Sequence, residues 1–107
     1  MRMVAQATRY GRITPPDEAW LTLAEPEEAL EPDLKIVDAH HHLWDLRTTS
    51  GHRYLLDDFL ADVGTGHNVV ETVHVNCYDW DRASGPKEMR PVTETEVAAG
   101  IAAMCDV

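Results

Sequence analysis

The sequence predicts an α/β fold with parallel strands, and three observations carry that expectation. Two short runs, "LKIVDAH" from residue 34 and "NVVETVHVNC" from residue 68, are rich in β-branched residues and read as buried strands. Between them, "YLLDDFLADVGTG" sets Leu55, Leu56, Phe59, Leu60 and Val63 at helical spacing, with Asp57, Asp58 and Asp62 on the other side. After the second strand, "TETEVAAGIAAM" reads as another helix. Strand, helix, strand, helix is the order that joins parallel strands by helical crossovers, in an open sheet or a barrel.

The elements follow in chain order. Residues 1–13 show no periodicity and no element is expected there. "TPPDEAW" reads as a helix start, with Thr14 as cap, Pro15 in the first turn, and Asp17 and Glu18 near the positive end of the dipole. Residues 25–33, "EPEEALEPD", are acidic and punctuated by proline, a linker or a short turn with a solvated face. Residues 1–33 are therefore an N-terminal extension with a short helix. Strands are expected over about 34–40 and 69–76, and helices over about 54–63 and 93–105. "TTSGHR" is a loop, as is the segment 78–92 with its Asp, Gly, Pro, Lys and Arg residues. Gly64 stops the first long helix, and Thr93 with Glu96 forms a capping box for the second. That second helix carries Val97, Ile101 and Met104 on one face.

Composition excludes several functions. A length of 107 residues allows one domain at most. The formal net charge of −10 argues against an electrostatic footprint for nucleic acid or an anionic membrane. No apolar stretch approaches the roughly 20 residues that span a bilayer. "MRMVAQATRYGR" has no apolar core, so a secretory leader is not expected. Cys77 and Cys105 lie far apart and outside any CxxC pair, which suits a reduced, cytoplasmic setting rather than a cysteine-built zinc site.

The chemistry gathers where the first strand ends, in "VDAHHHLWD". In parallel α/β folds, sites form at the carboxyl ends of strands. Side chains alternate along a strand, so Asp38, His40 and His42 share one face while Val37, Ala39 and His41 share the other. Two imidazoles at that spacing can reach a single zinc-like divalent cation, which takes neutral imidazole nitrogen at roughly 2.0–2.1 Å. The expected ligands are His40 and His42. Substrate hydrogen bonding or plain strand polarity are the alternatives for the pair. Asp38 suits an anchoring role behind the ligands, His41 a structural one, and His52 and His67 beside glycines a solvated one.

"IVDAHHHLWD" resembles the strand-one HxH signature of the amidohydrolase superfamily, in particular the amidohydrolase-2 group. "PPDEAWL", "RYLLDDFLADVGTGHNVVETVHV" and "ASGPKEMRPVTETEVAAGIAAM" are also similar to stretches of that group, so the likeness covers roughly residues 15–104. The resemblance implies a (β/α)8 barrel, hydrolysis of amides, esters or lactones, and a divalent metal, zinc by preference. It implies that His40 and His42 are the paired ligands after the first strand. Thr72, His74 and Asn76 would share the inner face of the second strand, with Asn76 touching a small-molecule substrate and His74 either touching it or hydrogen-bonding within the barrel interior. Trp44 would wall the pocket or serve packing. Such barrels need about 250 residues, and the family's further ligands, on strands five and six, and its strand-eight aspartate are missing here. Residues 34–107 are thus expected to be the amino-terminal part of a barrel, inactive by itself, whose catalytic aspartate lies elsewhere. Its partner would be the remaining barrel or a second copy. Two readings of another class stand beside this one: a stand-alone metal-binding protein, and a non-catalytic piece that docks onto complementary barrel segments.

Overall fold

The computed structural model describes residues 6–8, 11–13, 16–47 and 52–105. Among them lie three two-stranded sheets, three α-helices and one 3-10 turn, a mixed α/β architecture. β1 (Gln6–Thr8) and β2 (Gly11–Ile13) pair antiparallel, with Gln6 opposite Ile13 and Thr8 opposite Gly11. No element is legible there in the sequence, because strands this short show no alternation. α1 (Glu18–Leu21) is a single turn capped by Asp17, whose carboxylate accepts the Trp20 N–H at 3.0 Å. The cap is therefore Asp17, where a carboxylate both binds an orphan N–H and meets the positive end of the helix. Thr14 and Pro15, expected to start this helix, lie outside the described residues. Residues 25–33 belong to no helix or strand.

β3 (Lys35–His41) and β6 (Asn68–His74) are the parallel pair, with α2 (Leu56–Val63) in the crossover between them. Lys35 faces Asn68, Asp38 faces Thr72 and His41 faces His74, with register shifts between Ile36 and Val37 and between Asp38 and His41. The second shift places one residue more on β3 than on β6. A bulge of this kind bends a strand and re-aims its side chains, and it falls on the histidine run.

β4 (Trp44–Leu46) and β5 (His52–Tyr54) form an antiparallel pair, with Trp44 opposite Tyr54 and Asp45 opposite Arg53. This corrects the reading of "TTSGHR" as loop throughout and of His52 as a solvated residue, since His52 is half-buried in β5. The reason is cross-strand: an aromatic pair and an opposite-charge pair stabilise strands whose own sequence is turn-like. Arg53 also pairs with Asp57 and, at 3.1 Å, with Asp58, which ties β5 to α2. Asp58 in turn accepts the Leu55 N–H at 3.0 Å.

α3 (Val92–Met104) begins one residue before the expected capping box, directly after Pro91. The box does not form. Proline lacks an N–H and holds its φ near the helical value, so Pro91 sets the helix start without a side-chain cap. Thr93 sits inside the first turn with its hydroxyl buried and unpartnered, and Glu96 pairs with Arg82 at 2.8 Å. Val97 and Ile101 are half-buried, but Met104 is 62% exposed and does not extend the apolar face.

Burial is concentrated at two side chains among the described residues, Leu43 and Glu94. Leu43 follows the histidines, and its carbonyl accepts the Trp80 indole N–H at 2.9 Å. Val37, Val70 and Val73 of the parallel pair remain about half exposed, at 54%, 46% and 48%. No described helix is long and apolar enough to cross a membrane. The packing yields a contrast: Leu43→Ala should lower unfolding stability by about 2 kcal/mol or more, while Leu30→Ala, at a fully solvated position, should change it by less than about 0.5 kcal/mol. Urea denaturation measures both, and equal effects would show that Leu43 is not the packing centre.

Candidate metal centre

The carboxyl ends of β3 and β6 bring two imidazoles together. Asp38 accepts the His40 N–H at 3.1 Å, a local side-chain turn that holds the backbone at the bulge. Just past the strand, the His42 ring meets the His40 ring edge to face, with centroids 4.7 Å apart and planes at 87°. Their Nε2 atoms are 3.0 Å apart. His42 Nδ1 lies 2.7 Å from the Val75 carbonyl oxygen. A carbonyl only accepts, so this nitrogen carries the proton, and in the neutral ring His42 Nε2 keeps its lone pair. Val75 is itself held, because its N–H donates to the His41 carbonyl at 2.9 Å.

This arrangement fits a divalent cation. Two bonds of roughly 2.0–2.1 Å can span nitrogens up to about 4 Å apart when both lone pairs turn toward the ion, and 3.0 Å is inside that limit. Donating the far ring nitrogen to a backbone carbonyl is the usual way in which a ligand histidine is oriented. Without an ion, the same separation suits a hydrogen bond donated by His40 to His42. Among the described residues, no group of three or more His, Cys, Asp or Glu side chains is placed to hold an ion. The centre supplies two donors.

His41 takes no part in the pair. Its ring stacks on Phe59 of α2 with centroids 4.4 Å apart and planes at 22°, and its Nδ1 is buried without a partner. Burial, then the nearby His74, lower its pKa below the ordinary 6.5, against a smaller opposing effect of Asp38. Trp44 lies nearly parallel to His42 at 6.1 Å, with His52 and Tyr54 beside it at 5.5 and 6.4 Å. The indole N–H is buried and unpartnered. Trp44, Tyr54, Phe59 and Asp62 line an open cavity of about 770 Å³ together with the histidine run.

His74 sits edge-on to His41 at 5.5 Å, with its Nε2 3.7 Å from the Glu94 carboxylate. Burial lowers its pKa, Glu94 opposes that shift, and His42 adds to it. Asn76 is exposed, and its side-chain oxygen accepts the Tyr78 N–H at 3.2 Å, a local turn contact. The residue that sequence reasoning missed is Glu94. It is 1% exposed, and its two oxygens accept the N–H groups of Cys77 at 2.8 Å and Tyr78 at 2.9 Å. A signal existed: residues 94, 97 and 101 are spaced i, i+3, i+7, so this glutamate shares the face of Val97 and Ile101. No protein-family model, curated protein or solved structure matches the chain.

Two outcomes follow from these environments. Both His41 and His74 are held below 6.5, so the unfolded chain takes up protons first as pH falls. Stability of the metal-free chain should therefore be complete above pH 6.5 and decline as pH drops through the lowered values. Urea midpoints across that window measure this, and His41→Phe, which keeps the stack on Phe59, should flatten the decline. The second outcome concerns the thiols. Burial pushes Cys77 up to about 11, while Cys105 is exposed. At pH 8 the Cys77 thiolate is then roughly one part in a thousand, so iodoacetamide should label Cys105 at least about tenfold faster, as read by peptide mass spectrometry.

Proposed function

We propose that the chain is the amino-terminal part of a metal-dependent hydrolase of the (β/α)8-barrel type. Its substrate is a lactone, ester or amide of a small organic acid or sugar acid, cleaved in the cytoplasm by metal-activated water. One observation carries the reading: His40 and His42 converge through Nε2 at the carboxyl ends of two parallel strands, with His42 Nδ1 committed to the Val75 carbonyl. Parallel strands with a helical crossover are the unit from which such barrels are built, and their sites form at this end.

When bound, a zinc-like ion supplies Lewis acidity and lowers the pKa of its water. His40 and His42 present neutral nitrogen. Trp44 walls the cavity beside His42 and excludes water from one side. His74 and Asn76 are assigned to substrate contact at the end of β6. Asp38 holds the backbone of His40. The remaining ligands and the proton-accepting aspartate come from outside this chain.

A second reading keeps the metal and drops the chemistry: a non-catalytic metal-binding or barrel-completing piece. The two-donor centre and the half-exposed valines of β3 and β6 favour it. The partner in either reading is the rest of a barrel or a second copy, with neither nucleic acid nor membrane involved.

Cobalt(II) or zinc titration of the folded chain tests the ligand assignment. His40→Asn and His42→Asn should each weaken binding more than about tenfold, and His41→Gln should change it little. Equal losses in all three would mean that the run chelates without the folded geometry. The 107-residue chain should show no lactone or ester hydrolysis above a metal-only blank. Turnover abolished by His40→Ala would show instead that the two donors suffice.

A further inference from the structure

Glu94 is the one fully buried side chain among the described residues, and it is a carboxylate. What it binds is a turn. The N–H groups of Cys77 and Tyr78 are consecutive donors, and Tyr78 has φ +66°, in the left-handed region that non-glycine residues avoid. Successive N–H groups around such a residue make a concave anion seat, and here the seat is filled from α3 by Glu94, one oxygen to each N–H.

Two residues before Cys77 stands Val75, whose N–H is tied to His41 and whose carbonyl receives His42 Nδ1. Upstream, then, the Val75 peptide is held by β3. Downstream it is held by the turn that Glu94 closes. We infer that Glu94 is a positioning residue for the histidine pair: by holding the 77–78 turn it keeps the Val75 carbonyl where it fixes His42 as the Nδ1–H tautomer. The functional meaning of this rests on the reading of His40 and His42 as metal ligands, but the geometry does not.

The loop has other ties that do not bear on that carbonyl. Asp79 accepts the Asp45 N–H at 2.9 Å, and the Trp80 indole donates to the Leu43 carbonyl at 2.9 Å. They keep the loop docked when Glu94 is changed, while the turn loses the acceptor that joins its two N–H groups and Tyr78 N–H keeps the Asn76 side-chain oxygen at 3.2 Å. Glu94→Gln is the sharpest change. It offers one acceptor oxygen and turns an NH2 group against the second backbone N–H.

The test reads the imidazole tautomers in the metal-free 107-residue chain by long-range proton–nitrogen NMR, and zinc affinity in parallel. In the parent chain His42 is expected as Nδ1–H, with Nε2 unprotonated. Finding it as Nε2–H overturns the inference. In Glu94→Gln the Nε2–H form should become substantially populated, and zinc affinity should fall by about tenfold or more. In Asp79→Ala, which cuts a different tie of the same loop, the tautomer should stay as in the parent. An unchanged tautomer in folded Glu94→Gln overturns the inference, and so does an equal change in Asp79→Ala. If Glu94→Gln does not fold, Glu94→Asp takes its place, withdrawing the carboxylate by one methylene with the same expected and overturning results. Failure of the two readings is separable. A Glu94-dependent tautomer in a chain that binds no zinc leaves the positioning role standing and removes the ligand reading. Zinc binding that His42→Asn abolishes, with a tautomer indifferent to Glu94, does the reverse.

Discussion

The interaction on which the site depends is the pairing at the carboxyl ends of β3 and β6. There one peptide unit, Val75, donates its N–H to the His41 carbonyl and accepts the His42 ring proton. The first bond continues the parallel ladder one residue past the strand. The second turns a ladder position into an orienting contact for a side chain. The Val75 peptide supplies a backbone donor and a backbone acceptor, so the place at which the His42 ring is held follows strand register.

Register at this point is unusual. The shift between Asp38 and His41 gives β3 an extra residue where its histidines begin. Strict alternation puts His40 and His42 on one face, and at this bulge their nitrogens lie 3.0 Å apart while His41 lies flat on Phe59. One strand end thereby separates three identical side chains into a converging pair and a packing residue. Trp44, directly downstream, is held beside the pair by a hairpin whose stability comes from Tyr54 and Arg53 across it.

The packing has an uncommon balance. Leu43 is the one buried apolar side chain among the described residues, and the other buried residue is a glutamate. A buried carboxylate is costly unless its oxygens are satisfied. Glu94 meets that condition with two backbone N–H groups from a left-handed turn, and these hydrogen bonds offset both the burial of the charge and the strain of the turn. The loop that follows β6 is thus held by polar contacts to Leu43, Asp45 and Glu94 rather than by an apolar core.

What the sequence by itself determined is what local patterning can encode. Valine-rich runs and a helix with acids opposite its leucines specify two strands with a crossover helix, observed as Lys35–His41, Leu56–Val63 and Asn68–His74. The spacing of His40 and His42 is enough to single out the pair, because side chains two residues apart on extended backbone share a face, but the register shift within the run and the place of His42 past the strand are not legible in that spacing. Tertiary structure decided the rest. β4 and β5 exist through pairing with each other, Trp44 with Tyr54 and Leu46 with His52, which the pattern of neither three-residue strand announces. The helix start at Val92 in place of the Thr93–Glu96 box depends on Pro91 and on Arg82, 14 residues before Glu96, taking the glutamate that the box would have used. Glu94 shares a helix face with Val97 and Ile101, but what lets a carboxylate be buried there is the Cys77 and Tyr78 N–H groups, 17 and 16 residues away. A charge is placed by its partners, and partners this distant in sequence are found only once the chain has folded.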